Sequence, residues 1–145
     1  MPAVRELHEG ETALGARALL ELRPHVGSVE ALVTAIDRVQ RPDGYRLAAS
    51  FEDGEEDAAA VAGFRVHQNL VDGRHMYVDD LVTAADRRGR GHADALFTWL
   101  FDEARRQDCA QFHLDSAVGP ERADAHRFYF RHGLRIEAYH FARGL

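Results

Sequence analysis

The sequence contains no lysine, so arginine supplies all 18 of its Lys+Arg residues. It has a single cysteine, Cys109, which excludes an intrachain disulfide. The formal net charge of -6 argues against general nucleic-acid binding, and no apolar run approaches the roughly 18 residues of a membrane-spanning helix. The first residues, MPAVRELHEG, resemble neither a secretory signal nor a transit peptide. We therefore expect a cytoplasmic protein without nucleic-acid or membrane partners.

The hydrophobic pattern predicts one α/β domain over residues 1–145, with 46% hydrophobic residues to build its core. Periodicities and turn signals first predict a strand in VRELHEG and two helices, one within 10–24 and one capped by Ser28 that runs to Val39. Three strands are predicted next, at 45–51, 58–70 and 75–83. The rest of the chain is predicted to form a helix at 89–106, a strand at 110–115, a helix at 121–133 and a strand at 134–141. The order β-α-α-β-β-β-α-β-α-β predicts a mixed, mostly antiparallel sheet with flanking helices. The last strand is expected to close this sheet.

The segment DRRGRGHADALF (86–97) combines three arginines and two glycines between a predicted strand and a predicted helix. A helix start has N–H groups without intrahelical acceptors, glycine lets a ligand approach the backbone, and arginine adds positive charge. This combination indicates a phosphate site. It matches neither the Walker pattern, which needs lysine, nor G-x-G-x-x-G, because Asp94 occupies the third glycine position.

Two segments carry a resemblance to a known family. The residues from Arg88 to Ala93 fit R/Q-x-x-G-x-G/A in the strand–loop–helix context, and AHRFYFRHGL (125–134) fits F-Y-x-x-x-G-F with Leu134 in place of Phe. In these segments, and over roughly residues 45 to 145, the sequence resembles the GNAT (Gcn5-related) N-acetyltransferases. The resemblance implies a GNAT-like fold, acetyl-CoA as cosubstrate, and direct acetyl transfer to a primary amine of a small molecule or peptide. Dimers are common in that family, so a homodimer is a candidate assembly.

The resemblance also implies site residues. The backbone of Leu81, Val82 and Thr83 would meet the pantetheine arm and the acetyl carbonyl. Tyr129, the tyrosine of the F-Y motif, would protonate the departing thiolate. The pyrophosphate would be held by the amides of Arg88, Gly89, Arg90, Gly91, His92 and Ala93. Arginine side chains near this loop would contact the adenosine 3'-phosphate. The sequence does not indicate which arginine does so.

Two adjacent carboxylates, Asp79 and Asp80, lie in the predicted strand 75–83. Neighbouring strand residues face opposite sides of a sheet, so we expect the two to have different tasks. Asp79 matches a position where some diamine-acetylating relatives carry a glutamate base, and it is the preferred base or amine anchor. Asp80 is the second candidate, with a structural hydrogen-bond acceptor as the alternative. A water chain in place of a single base also stays open.

The remaining polar residues carry weaker predictions. Nine histidines show no metal-binding spacing, so we expect no metal site, and His113 and His140 are candidates for substrate contact or proton relay. The acidic run EDGEED (52–57) is interpreted as a solvated hairpin turn, with attraction of a cationic substrate as the alternative. Two other functions stay open at this point: a non-catalytic acyl-CoA-binding module, and a nucleotide- or phosphate-binding protein unrelated to acetyl transfer.

Overall fold

Five strands form one sheet whose spatial order follows the chain. The structure is a computed structural model and describes residues 2–145. The strands are β1 (Ala3–Leu7), β2 (Arg46–Phe51), β3 (Ala60–Asn69), β4 (Gly73–Thr83) and β5 (Gln111–Leu114). The first four pair antiparallel, and beside β4 the amide of Ala110 donates to the carbonyl of Arg74 at 2.7 Å. The predicted fold class, a mixed and mostly antiparallel sheet with flanking helices, is confirmed.

The helices lie where the 3.6-residue periodicity predicts them. They are α1 (Ala16–Leu22), α2 (Val29–Thr34), α3 (His92–Arg106) and α4 (Ala123–Arg131), with a π-helical stretch (Ala35–Gln40) continuing α2. Ser28 caps α2 as predicted, its hydroxyl accepting from the Ala31 amide at 3.1 Å. The start of α3 is later than the predicted residue 89. Gly89 and Gly91 have φ values of +76° and +85°, which a right-handed helix cannot contain.

Helices cover both faces of the sheet. Leu47 and Ala49 of β2 belong to the apolar cluster that includes Leu19 of α1, whereas Ser50 bonds to His92 of α3. Because Ala49 and Ser50 are adjacent on a strand, α1 and α3 lie on opposite faces. None of the helices in residues 2–145 is both long and apolar enough to span a membrane.

Strand β4 contains a bulge in its pairing with β3. Gly63 pairs with Asp80, while the next residue, Phe64, pairs with Val78. Asp79 is therefore an extra residue without a partner in the ladder, and such a residue bends the strand and redirects neighbouring side chains.

The chain divides into two compact units, of which the first ends at His113 and the second is Leu114–Leu145. The second unit contains α4, which is followed by Gly133 at φ +82°. The predicted strand at 134–141 is wrong, since residues 134–145 have no regular secondary structure. Ile136, Tyr139 and Phe141 are 77%, 87% and 92% exposed. Alternating residues define the two faces of a strand, but a strand also needs a hydrogen-bonded partner, which the alternation does not supply.

Candidate active site

The turn between β4 and α3 presents backbone to a ligand. Gly89 and Gly91 both adopt left-handed conformations, and a Cβ added at Gly89 would meet no atom within 4 Å. Gly91 is the N-cap of α3, so the first amides of the helix, at His92 and Ala93, have no acceptor within it. Exposed backbone, N–H donors and the positive end of a helix fit a pyrophosphate group.

Two of the three loop arginines are already paired with carboxylates. Arg90 donates to both oxygens of Glu52, at 2.8 and 2.9 Å. Arg87 lies 3.6 Å from a carboxylate oxygen of Glu55 and 3.2 Å from one of Asp86. Arg88 is exposed and makes no ion pair with any residue in 2–145. It is therefore the loop arginine whose charge is available to an anion.

The acidic segment 52–57 is the solvated hairpin turn that was predicted, with residues 53–57 exposed between β2 and β3, and its carboxylates also support the loop. Glu52 binds Arg90 and also lies 3.1 Å from Nε2 of His92. The hydrogen bond from Arg90, followed by that from His92, holds the pKa of Glu52 below its usual range. A carboxylate that stays ionised can keep both partners in place across the neutral pH range.

The side chain of His92 points into the protein. It is 2% exposed, and its Nδ1 lies 2.7 Å from the hydroxyl of Ser50, itself fully buried. With Glu52 on the other ring nitrogen, the imidazole links the start of α3 to the end of β2. Only the backbone of His92 is thus available to a ligand at the loop.

Asp79 and Asp80 face the same side of the sheet, and the prediction of opposite faces is wrong. The hydroxyl of Tyr45 donates to Asp80 at 3.0 Å, and the guanidinium of Arg65, which lies over the Tyr45 ring, pairs with Asp79. The reason is the bulge, which inserts one residue and breaks the two-residue alternation at this point.

The two carboxylates differ in what they can do. Both oxygens of Asp80 accept hydrogen bonds, one from Tyr45 and one from Nε of Arg23 at 2.9 Å. The Asp79 carboxylate pairs with Arg65, and burial raises the pKa of this carboxyl above the ordinary value despite that arginine. Of the two, Asp79 is better suited to accept a proton, while Asp80 is occupied as a hydrogen-bond acceptor.

The other predicted site residues lie in different parts of the fold. Leu81, Val82 and Thr83 are half-buried at the end of β4 that leads into the loop, paired with Ala62, Val61 and Ala60 of β3. Tyr129 is half-buried on α4 in the second unit, with its ring 6.4 Å from that of His126.

The candidate relay histidines have polar partners of their own. His113 bonds to Gln111 at 2.7 Å, and His140 bonds to Asp115 at 2.9 Å. Within residues 2–145, no group of three or more His, Cys, Asp or Glu side chains is arranged to hold a metal ion.

Several residues that shape the site were not predicted from the sequence. Ser50 and Tyr45 act through partners 42 and 35 residues away, and no local pattern identifies such contacts. Glu52 did carry a signal, because an acidic run and an arginine-rich loop in one chain are complementary in charge.

Comparison with known proteins agrees with the geometry. The model of the Acetyltransferase (GNAT) family matches residues 13–134. The uncharacterised N-acetyltransferase YhdJ of Bacillus subtilis is 31% identical over 124 residues, which are 85% of this chain and 84% of that protein. The aminoglycoside N-acetyltransferase AAC(6')-Iy, solved in complex with CoA, superposes with a TM-score of 0.82 at 16% identity, covering 99% of this chain and 95% of the other.

A second solved structure has the same fold. The ribosomal-protein-alanine N-acetyltransferase of Brucella melitensis biovar Abortus 2308 superposes with a TM-score of 0.80 at 18% identity over the whole of both chains. The matched family model spans β4, the glycine–arginine loop and α3, the elements around the candidate anion site. The chain is an acetyltransferase of the GNAT family.

Proposed function

We propose that this enzyme transfers the acetyl group of acetyl-CoA directly to a primary amine of a small molecule or peptide. The observation that carries the proposal is the loop at 88–93, where two left-handed glycines and the N-terminus of α3 expose backbone donors beside the unpaired Arg88. Leu81, Val82 and Thr83 precede this loop on β4 and support the pantetheine arm. The solved relative with bound CoA favours the same ligand class for this chain.

In this mechanism Asp79 acts on the incoming amine. An amine attacks a thioester carbon only after losing its extra proton. The raised pKa of Asp79 makes its carboxylate a better proton acceptor than an ordinary aspartate. Arg65 holds the carboxylate in position before the amine arrives. The acidic net charge of the chain, together with the Asp79 carboxylate, favours a cationic acceptor, such as a polyamine, an aminoglycoside or a lysine-like group.

Tyr129 completes the proton transfers. Acetyl-CoA supplies the acetyl group as a thioester. As the new C–N bond forms and the C–S bond breaks, the phenol of Tyr129 donates its proton to the departing sulfur. The attacking nitrogen loses its second proton to bulk water, and bulk water returns a proton to the Tyr129 phenolate. This assignment follows from the match of Phe128 and Tyr129 to the family's motif. A homodimer and a cytoplasmic location stay predictions.

The test is acetyl-CoA consumption over a panel of amines, with wild type and Tyr129→Phe measured side by side. We expect at least one cationic amine to be acetylated, and Tyr129→Phe to slow turnover about tenfold or more while CoA affinity stays unchanged. Calorimetry with CoA and with ATP separates the alternatives. CoA binding without turnover of any amine would favour a non-catalytic acyl-CoA-binding module, and ATP binding without CoA binding would exclude the proposal.

A further inference from the structure

Tyr45, directly before β2, lies across β3 in a space that only glycine leaves free. It is 5% exposed. A Cβ added at Gly63 would overlap its hydroxyl and the ring atoms next to it. Gly63 has no left-handed φ, so the glycine serves close approach and not an unusual backbone conformation. Through this gap the Tyr45 hydroxyl reaches Oδ2 of Asp80 at 3.0 Å.

Asp80 connects Tyr45 to the bulge. Its other oxygen, Oδ1, accepts from Nε of Arg23 at 2.9 Å, and Nη2 of the same arginine donates to the carbonyl of Asp79 at 3.1 Å. The bulge removes Asp79 from the ladder with β3, so this hydrogen bond gives its carbonyl a partner. The residue after α1 is thereby tied to the point where β4 bends.

The Tyr45 ring makes a second connection to the same place. The guanidinium carbon of Arg65 lies 5.3 Å from the ring centroid, a distance typical of cation–π contact. Arg65 also binds the side chain of Gln40 and the carbonyl of Asp43, the latter at 3.2 Å. It presents its remaining Nη to Asp79. Tyr45 therefore contacts Asp80 directly through its hydroxyl and contacts Arg65, the partner of Asp79, through its ring.

We propose that Tyr45 is a positioning residue for Asp79: its hydroxyl anchors Asp80 beside the bulge, and its ring fixes the guanidinium that holds the Asp79 carboxylate. The inference rests on the proposed function, in which Asp79 receives the proton of the amine. Burial, followed by the charge of Asp80, raises the pKa of Tyr45 well above the ordinary value of a phenol. Tyr45 thus stays protonated and donates a hydrogen bond at neutral pH. It does not accept the proton that the amine loses.

The charged groups around Asp79 determine in which direction its pKa moves when a neighbouring residue is replaced. Arg65 and His67 from β3 lower its pKa, whereas Asp80 raises it. Tyr45 and Arg23, which hydrogen-bond to Asp80, reduce the effect of that negative charge. Loss of the Tyr45 hydroxyl should therefore move the Asp79 titration to higher pH. Loss of the Asp80 charge should move it to lower pH.

The experiment is an NMR titration of the full chain labelled with ¹³C at aspartate side chains, with Asp79→Asn used to assign the Asp79 signal. We expect an upward midpoint shift of about half a pH unit in Tyr45→Phe, which keeps the ring, and a downward shift of similar size in Asp80→Asn. Tyr139→Phe removes a hydroxyl from a residue that is 87% exposed and should shift nothing. An Asp79 midpoint equal to that of wild type in either folded variant overturns the inference.

Kinetics add a readout that a purely structural role would not move. With the best amine of the panel, Tyr45→Phe should lower kcat about fivefold and move the acid limb of the pH profile upward, with KM for acetyl-CoA unchanged. An unmoved limb would contradict the positioning role. If wild type acetylates no amine, the proposed function fails, yet the titration still decides whether Tyr45 positions Asp79.

Discussion

At the scale of single residues, the loop arginines differ in the charge that they can offer to a ligand. Arg87 and Arg90 lie against Glu52, Glu55 and Asp86. Arg88 lies between them in sequence without a carboxylate partner in residues 2–145. Three arginines within four residues of the sequence thus become one available charge in the fold, because carboxylates of the β2–β3 turn and Asp86 pair with the other two.

Replacing Arg88 with Gln should raise KM for acetyl-CoA about three- to tenfold and leave kcat unchanged, because a lost charge-assisted contact weakens ground-state binding. The salt dependence of KM should also become weaker. Arg105→Gln is the matched control, since this exposed arginine lies in the last turn of α3, at the opposite end of the helix from the loop. Steady-state kinetics at two ionic strengths measure both effects. An equal increase in KM for the two variants would contradict the assignment of Arg88.

Asp79→Asn should lower kcat about a hundredfold, because the amide cannot accept the proton. In wild type, activity should fall as pH decreases through the pKa of Asp79, which burial raises above that of an ordinary aspartate. The acid limb should therefore lie at higher pH than about 4, and Asp79→Asn should lack it. Asp102→Asn, at an exposed position of α3, is the control. A variant that keeps both its rate and its acid limb would indicate a water chain as the base.

At the scale of elements, the proposed CoA site depends on how β4 ends and α3 begins. Strand β4 ends at Thr83, a short turn follows, and α3 begins directly after Gly91, which has a left-handed conformation. An L-residue at such a φ carries strain of roughly 1 kcal/mol. The glycine thus fixes the position of the first helical amide and, in the proposed CoA site, the direction from which a phosphate approaches.

Gly91→Ala should lower the free energy of unfolding by about 1 kcal/mol and raise KM for acetyl-CoA severalfold, because relief of the strain moves the amides of the loop. Gly73→Ala is a matched control: Gly73 also has positive φ, +65°, with open space for a Cβ, and lies at the other end of β4. We expect it to cost similar stability with no change in KM. Denaturant melts and kinetics on the two variants test this, and an unchanged KM for Gly91→Ala would exclude the backbone as the anion site.

Elements that follow from local pattern were predicted well, and those that depend on distant partners were not. The strand–loop–helix around Gly89 follows from periodicity and glycine placement within some thirty residues. The bulge at Asp79 depends on the pairing register of β4 with β3 next to Gly63. The position of Tyr45 depends on the absence of a side chain at Gly63. No pattern within one strand reports on either. The wrong last strand has the same origin, because alternation at 134–141 does not reveal whether a partner strand exists.

At the scale of the whole molecule, arginine–carboxylate groups join separate elements. Arg46 of β2 binds Glu6 of β1 at 2.7 Å and Glu103 of α3 at 2.8 Å. Glu103 is 6% exposed and also pairs with Arg106 at 2.7 Å. Although burial opposes it, the hydrogen bonds from Arg46 and Arg106 hold the pKa of Glu103 below its ordinary value. A helix and two strands thus share one charged group.

This group predicts how stability depends on pH. A carboxyl with a lowered pKa in the folded state contributes stability above the unfolded value, near 4.3, and loses it as pH falls through the folded pKa. Glu103→Gln should therefore lower the free energy of unfolding by about 1–3 kcal/mol at pH 7 and by less at pH 3. Asp102→Asn, the exposed neighbour, should change it by under about 0.5 kcal/mol. Denaturant melts at both pH values measure this, and a loss independent of pH would refute the ionic origin.

The absence of lysine has a chemical consequence for these ion pairs. A thioester acetylates free amines, and a lysine amine that becomes an amide loses its charge. A guanidinium stays protonated at any working pH and offers no comparable nucleophile. Every side-chain cation paired in residues 2–145 is arginine or histidine. The fold is thus held by cations that an acetyl thioester cannot neutralise, so self-acetylation of side-chain amines is excluded by composition.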